Sequence, residues 1–145
     1  MEQIKFIIDG EPKGKGRPRF TRGGHAYTPQ GTVEYENLVR ASYIKAGKVY
    51  FSNIPLGMEI SAYYKIPKST SKKKRAELLN SRPMKKPDYD NIAKIITDAL
   101  NGLAYEDDRF IVEASQHKFY AENDNPRVEV RIYALCEPPD DERDV

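Results

Sequence analysis

Alternation of apolar and polar residues predicts two strands in the first half of the chain. Ile4, Phe6 and Ile8 alternate with polar or outward-facing residues and stop at Asp9-Gly10, which is typical of a half-buried strand that ends in a turn. A longer alternation over eleven residues is stopped by a proline: Leu56, Met58, Ile60, Ala62, Tyr64, Ile66 and then Pro67. The second run is the clearest strand in the sequence, because proline cannot continue a sheet ladder.

Two segments have the period of a helix with one buried face. The stronger one carries apolar residues at the spacing of a single stripe: Ile92, Ile95, Ile96, Ala99, Leu100 and Leu103. Asn101-Gly102 supplies a stop at its C-terminal end. In the other segment Thr32 is a candidate N-cap, with Glu36 close to capping-box spacing. The inner stripe of this earlier helix is expected to reach Gly47 through Tyr35, Leu38, Val39 and Ser42.

The remaining segments complete the predicted order of elements. Phe110–Tyr120 and Arg127–Leu135 are rich in β-branched and aromatic residues, and the turn residues between them favour an antiparallel hairpin. Glu11–Gln30 is rich in glycine and proline without a regular period, which predicts a long basic loop. Residues 70–81 are polar and lysine-rich, and either a short exposed helix or a disordered arm fits them.

This order of strands and helices predicts an α+β fold. We expect a single small domain with a mostly antiparallel or mixed sheet and helices packed on one face. The domain is expected to span residues 1–136, and residues 137–145 form an acidic tail without apolar anchors, which is typical of disorder.

Length and composition bring two further expectations. A chain of 145 residues with 39% apolar residues suffices for one domain that needs neither a disulfide nor a metal to fold. Cys136 is the one cysteine, and its position at the end of a predicted strand favours a buried thiol. With neither a signal peptide nor a membrane span predicted, a cytoplasmic, nucleoid-associated location is expected.

Charge changes the picture, because the balance of 24 basic and 22 acidic residues hides an asymmetry. Residues 1–87 hold 18 basic and 7 acidic side chains, whereas residues 88–145 hold 6 and 15. Clusters of this kind attract a polyanion, and nucleic acid is therefore the first partner to consider, although solvated lysines are the ordinary alternative. The candidate DNA-binding residues are Lys13, Lys15, Arg17, Arg19, Arg22, Lys72, Lys73, Lys74, Arg75, Lys85 and Lys86.

Carboxylates at the start of the stronger helix are the candidate chemistry. Asp88 or Asp90 could serve as an ordinary N-cap. Two aspartates exceed what capping requires, and a divalent cation with oxygen ligands would relieve their mutual repulsion. Lys94, one turn after Asp90, could form an ordinary ion pair or could stabilise a charged transition state.

A third carboxylate for such a site could come from Glu106-Asp107-Asp108. These residues follow the helix, so Asp108 would have to reach back along about 18 Å of helix, unless the segment before it folds back. A surface turn is the ordinary alternative. Gly14-Lys15-Gly16 lacks the Gly-Lys-Ser/Thr end of a P-loop, and no nucleotide cofactor is expected.

Several motifs together resemble the RusA-type Holliday junction resolvases. They are Gly14-Lys15-Gly16-Arg17-Pro18-Arg19-Phe20, Lys86-Pro87-Asp88-Tyr89-Asp90-Asn91-Ile92-Ala93-Lys94, Asp98-Ala99-Leu100 and Asp107-Asp108. The resemblance implies a crossover junction endodeoxyribonuclease, often carried by prophages, that works as a homodimer on four-way DNA. It also implies Mg²⁺, with Mn²⁺ as a possible substitute, held by Asp88, Asp90 and Asp108, and an essential lysine at Lys94. The shorter turn before Asp107 leaves Asp107 or Asp108 open as the third ligand.

Two other functions fit the same residues. A DNA-binding recombination accessory protein would use the carboxylates only as caps and surface charge. A flap or single-strand nuclease would share the chemistry but not the substrate. The resemblance favours hydrolysis of phosphodiester bonds in four-way junctions during DNA recombination and repair.

Overall fold

A computed structural model describes residues 2–135 of the chain. Cys136 and the acidic tail of residues 137–145 lie outside this range, and so does the predicted end of the domain. The elements are β1 (Gln3–Asp9), β2 (Arg19–Phe20), β3 (Ala26–Tyr27), α1 (Gln30–Lys45), β4 (Leu56–Tyr64), α2 (Lys72–Leu79), α3 (Tyr89–Leu100), β5 (Ile111–Tyr120) and β6 (Arg127–Ala134), with 3₁₀ turns at Asp108–Phe110 and Glu122–Asp124.

The predicted α+β fold is confirmed, and its main sheet is mixed. The strand order is β1-β6-β4-β5, in which β6 is antiparallel to both of its neighbours and β5 is parallel to β4. The strands predicted around Ile4–Ile8 and over Leu56–Ile66 are confirmed as Gln3–Asp9 and Leu56–Tyr64, with alternate residues buried. The second strand ends two residues earlier than predicted. The apolar residues that predicted these strands pack against the helices α1 and α3, which cover one face of the sheet.

The predicted hairpin between β5 and β6 is wrong, because β4 lies between these two strands. Every second residue of β6 is buried, and its backbone hydrogen-bonds to a neighbouring strand on each side. In contrast, β5 is largely exposed and lies at the edge of the sheet. The parallel pairing of β4 with β5 requires a long crossover connection. Residues 65–110, with α2 and α3, provide that connection, so the neighbours in sequence are not the neighbours in space.

Helix α1 departs from the prediction at its start and in its buried stripe. It begins at Gln30 after Pro29, so Thr32 lies inside the first turn and is not the N-cap. The hydroxyl of Thr32 instead accepts a hydrogen bond from the Gly16 backbone N–H at 3.1 Å. Tyr35 and Val39 are buried as expected, but the buried stripe is completed by Thr32 and Tyr43, whereas Leu38 is exposed and Ser42 is half-buried.

Two lysine- and arginine-rich segments take up short exposed elements. Of the two structures that fit residues 70–81, the helix is present, and the Ser71 hydroxyl caps it by accepting from the Lys74 N–H. Helix α2 buries no residue. The long loop carries the small hairpin β2–β3, which the lack of period did not predict and which is exposed throughout. No helix in residues 2–135 has the length and apolarity to cross a membrane.

Candidate active site

The N-terminal end of α3 presents two carboxylates that do no structural work. Asp88 occupies the N-cap position with an extended backbone, but its side chain makes no capping hydrogen bond. Asp90 lies in the first turn, and both residues are exposed. Within residues 2–135, no hydrogen bond or ion pair occupies either carboxylate. The capping alternative for Asp88 is therefore not what the structure shows, and its oxygens are available to a ligand.

The segment that leads into α3 is held in place by the sheet. The buried Tyr64, at the end of β4, donates its hydroxyl to the Pro87 carbonyl at 3.1 Å. Burial raises the pKa of Tyr64 to about 12, with smaller contributions from Glu11 and Asp88. The Lys118 ammonium of β5 donates to the Lys85 carbonyl at 2.9 Å. The sequence pattern marks Tyr64 only as a core residue and does not single out Lys118. The reason is that each side chain bonds to a carbonyl more than twenty residues away in the sequence.

The basic loop packs directly against this helix end. The Lys15 backbone N–H donates to the Asn91 carbonyl at 3.0 Å. A side chain at Gly14 would meet the Cβ atoms of Pro87 and Asn91 at 2.9 Å, so the close approach requires glycine there. An open pocket of about 680 Å³ lies between loop and helix, lined by Gly14, Lys15, Arg17, Lys86, Pro87, Asp88 and Asn91. The basic loop and the start of α3, which are far apart in the sequence, thus form the walls of one pocket.

The carboxylates near the C-terminal end of α3 are already engaged. Asp98 forms ion pairs with the ammonium groups of Lys15 and Lys94, each 3.3 Å from its Oδ2. Lys94 therefore pairs with Asp98, one turn after it, and no ion pair joins it to Asp90 in the described part of the chain. Asp107 accepts from the Arg109 backbone N–H at 2.9 Å and caps the 3₁₀ turn that begins at Asp108.

Asp108 follows α3 in the chain and lies near Tyr105, whose hydroxyl is bonded to the C-terminal half of that helix. The Tyr105 hydroxyl donates to the Thr97 carbonyl at 3.1 Å. The pKa of Tyr105 is raised mainly by burial and then by the nearby Asp108. Helix α3 has 12 residues and is about 18 Å long. Across residues 2–135, no three acidic, histidine or cysteine side chains are grouped closely enough for a metal ion, so one protomer does not bring Asp88, Asp90 and Asp108 together.

The predicted DNA-binding residues differ in how much of their charge is free. Most are exposed: Lys13, Arg17, Arg19, Arg22, Lys72, Lys73, Lys74, Lys85 and Lys86. Lys15 is the exception in the loop, because its ammonium points into the protein and pairs with Glu36 and Asp98. In α2, Arg75 is half-buried, with its guanidinium 3.7 Å from Asp124.

Comparison with known proteins finds relatives that match most of this chain. The family described as Endodeoxyribonuclease RusA matches residues 9–133, which is most of the chain. A protein of Bacillus subtilis (strain 168) named "Uncharacterized protein YqaN" is 39% identical over 139 residues, which cover 91% of this chain and 96% of that protein. The match spans the basic loop, helix α3 and the turn that follows it. The chain belongs to the RusA family of endodeoxyribonucleases.

Proposed function

We propose that the protein resolves four-way DNA junctions by paired, Mg²⁺-dependent phosphodiester hydrolysis in recombination and repair. Membership of the family supports a hydrolase that cuts DNA and that depends, as these nucleases generally do, on a divalent metal. The observation that carries the finer proposal is the pocket between the exposed Arg17 and the unengaged carboxylate of Asp88. The Arg17 cation and the Asp88 carboxylate in one pocket suit a phosphate backbone presented to a metal site.

The residues at the start of α3 fit a magnesium ion. Mg²⁺ keeps several of its waters and is usually held by one or two carboxylates, which Asp88 and Asp90 can supply. When bound, the metal supplies a Lewis acid that activates water and offsets charge on phosphate and leaving oxygens. Mn²⁺ is the expected substitute. The chain's own contribution is to hold these carboxylates on a fixed helix end, with Tyr64 bonded to the preceding carbonyl.

Lys94 is proposed to contact the scissile phosphate. Its side chain is 60% exposed and lies one turn after Asp90 on the same helix. Its pairing with Asp98 is on the protein surface, where an ion pair is worth roughly 1 kcal/mol or less. A phosphate that approaches Asp88 and Asp90 can therefore compete for this ammonium, and the freed lysine would stabilise charge that develops there.

Asp108 is proposed as the third ligand, although the described residues of one protomer do not group it with Asp88 and Asp90. Either the segment after α3 rearranges within one protomer, or the partner in the proposed homodimer supplies a second copy of Asp108. A closed two-fold dimer is the commonest assembly of soluble proteins and matches the symmetry of a four-way junction. Asp107 already caps a turn, which favours Asp108 over Asp107.

The exposed cations are proposed to follow the DNA backbone. Lys13, Arg17, Arg19 and Arg22 extend from the pocket through the β2–β3 hairpin, and the lysines of α2 form a second exposed group. Contacts of this kind position the duplex and contribute affinity but carry little sequence information.

The test is cleavage of a synthetic four-way junction, compared with flap and linear substrates at equal concentration, with and without Mg²⁺. Paired symmetric cuts in the junction that require the metal are expected. Stronger cleavage of the flap or of single strands would identify a different nuclease. Binding of the junction without cleavage in any divalent metal would identify an accessory protein.

A further inference from the structure

Lys15 differs from the other cations of the basic loop in where its charge goes. Its Nζ lies 3.0 Å from Glu36 Oε2 in α1 and 3.3 Å from Asp98 Oδ2 in α3. These three side chains are only 22%, 13% and 24% exposed. Burial lowers the pKa of Lys15, but hydrogen bonds and Coulombic attraction from Glu36 and Asp98 outweigh it and raise the pKa above the ordinary value. The lysine is fully charged at neutral pH, and its charge is satisfied within the protein.

The backbone around Lys15 is attached to the same two helices. Its N–H donates to the Asn91 carbonyl of α3, and the Gly16 N–H donates to the Thr32 hydroxyl of α1. A side chain at Gly16 would stand 2.6 Å from that hydroxyl, so the contact leaves no room for one. Residues 14–16 are therefore fixed against both helices, although the loop around them has little regular structure.

The attachment of residues 14–16 to both helices limits where the following residue, Arg17, can lie in the pocket. Arg17 follows the attached segment, is exposed, and lines the pocket opposite Lys86 and Asp88. Ordering a flexible segment costs conformational entropy, so an unattached loop would present Arg17 in many places. Removing the Lys15 ammonium would also leave Glu36 without its ion pair and Asp98 with Lys94 alone. The added negative charge near the DNA backbone would repel phosphate.

We propose that Lys15 is a positioning residue, not a DNA contact: it joins the loop to α1 and α3 and thereby places Arg17 beside Asp88 to receive the phosphate of the strand that is cut. This inference rests on the proposed nuclease function. It reassigns a residue that the charge pattern alone groups with Lys13 and Arg17 as a phosphate ligand.

The salt dependence of binding separates the two roles. The slope of log K against log[salt] falls by about 0.9 for each phosphate contact that is lost. Lys15→Met and Arg17→Met each remove one positive charge from the same loop, two residues apart, and so form a matched pair. With junction DNA in EDTA, Arg17→Met is expected to reduce the slope by about 0.9 and Lys15→Met by less than about 0.3. The reason is that an Arg17 no longer held beside Asp88 is still an exposed cation that neutralises a phosphate elsewhere on the backbone.

Cleavage provides the second measurement. Single-turnover rates with saturating enzyme, taken well below the melting temperature of each variant, remove differences in affinity and folded fraction. Lys15→Met is expected to slow cleavage at least tenfold. Lys15→Arg, which keeps a cation able to reach both carboxylates, is expected to stay within about threefold of the natural protein.

Three results would overturn the assignment. They are a slope loss near 0.9 for Lys15→Met, a single-turnover rate unchanged by that substitution, and a Lys15→Arg rate as low as that of Lys15→Met. If the natural protein binds junctions but cuts none, the proposed function fails, while the slopes still report whether Lys15 touches DNA.

Discussion

The two ends of helix α3 carry aspartates in opposite situations. At the N-terminal end, Asp88 and Asp90 are exposed, and their carboxylates make no hydrogen bond or ion pair within residues 2–135. Near the C-terminal end, Asp98 holds two lysines, and Asp107 caps the turn that follows. The same residue type therefore has structural work at one end and none at the other.

The difference between the two ends indicates which carboxylates are free to bind a metal ion. A carboxylate that already accepts hydrogen bonds or ion pairs from its own chain must give them up to bind a ligand. The loss of these interactions makes the binding free energy of the ligand less favourable. Asp88 and Asp90 have no such bonds to lose, and their mutual repulsion favours a cation between them. Under the proposed function, the N-terminal end is the proposed metal site and the C-terminal end its support, and the following experiments test that division.

The largest expected effect belongs to Asp90→Asn. Junction cleavage should fall to less than a tenth of the natural level at saturating Mg²⁺, because a metal ligand is lost, while junction binding stays equal or becomes tighter because a negative charge near phosphate is removed. Asp9→Asn, an exposed aspartate on β1, is the matched control and should cut normally. Residual cleavage above a tenth would place the metal elsewhere.

Mixed dimers test how the two ends of α3 cooperate. Natural subunits mixed with Asp90→Asn subunits should give heterodimers that nick one strand but rarely complete resolution. Mixing Asp90→Asn with Asp108→Asn then locates the third ligand. If Asp108 acts across the dimer, each heterodimer retains one intact site and nicks DNA; if it acts within a protomer, both sites are damaged and no nicking appears. A protein that sediments as a monomer on the junction would contradict the dimer.

Metal binding without DNA gives a smaller but direct measurement. At ten times its dissociation constant, Mg²⁺ should stabilise the natural protein by about 1.4 kcal/mol, which raises the melting temperature by roughly 4 °C for a chain of this size. The shift should vanish in the double variant Asp88→Asn/Asp90→Asn and persist in Asp98→Asn. A shift that survives in the first variant and disappears in the second would reverse the roles of the two ends.

Asp107 and Asp108 should separate in stability and activity. Asp107→Ala removes the cap of the 3₁₀ turn and should lower the free energy of unfolding by about 1 kcal/mol, while cleavage remains above half. Asp108→Asn should leave stability nearly unchanged and abolish cleavage. The opposite pattern in urea denaturation and junction cleavage would exchange the two residues.

The smallest effect is a pH dependence at the supporting end. Because the folded-state pKa of Lys15 is raised, its contribution to stability is complete below the ordinary value of 10.5 and is lost as pH rises through the higher folded value. The stability advantage of the natural protein over Lys15→Met should therefore be constant from pH 7 to about pH 10 and decline above it. An advantage that grows with rising pH would contradict the ion pairs.

Local pattern predicted the individual elements well. The alternation in β1 and β4 and the apolar stripe of α3 depend on residues a few positions apart, and each was confirmed with its buried face. The Asn101-Gly102 stop also lies where α3 ends, with Gly102 at φ +81°. Helix α1 was less well predicted, since Leu38 fitted the period but Tyr43 fills the space against Phe6, with ring centroids 5.2 Å apart.

The order of the strands could not be read from neighbouring segments. Two β-rich runs separated by a short turn favour a hairpin, but within residues 2–135 β5 pairs with β4 alone, and β6 lies between β1 and β4. In the observed order, Val128, Val130 and Ile132 of β6 are all buried. That is a property of the whole sheet and not of the turn.

By itself, the sequence determined the family, the α+β class, and the placing of Asp88 and Asp90 at the start of a helix, because these depend on motifs and on spacing within single elements. Tertiary packing was needed to show that Lys15 pairs with Glu36 and Asp98, and that the described residues of one protomer do not group Asp108 with Asp88 and Asp90. Lys15 and Asp98 are 83 positions apart in the sequence, and their ion pair exists only because α1, α3 and the loop pack together. Charge is a property of a residue, but its use depends on the neighbours that folding brings to it.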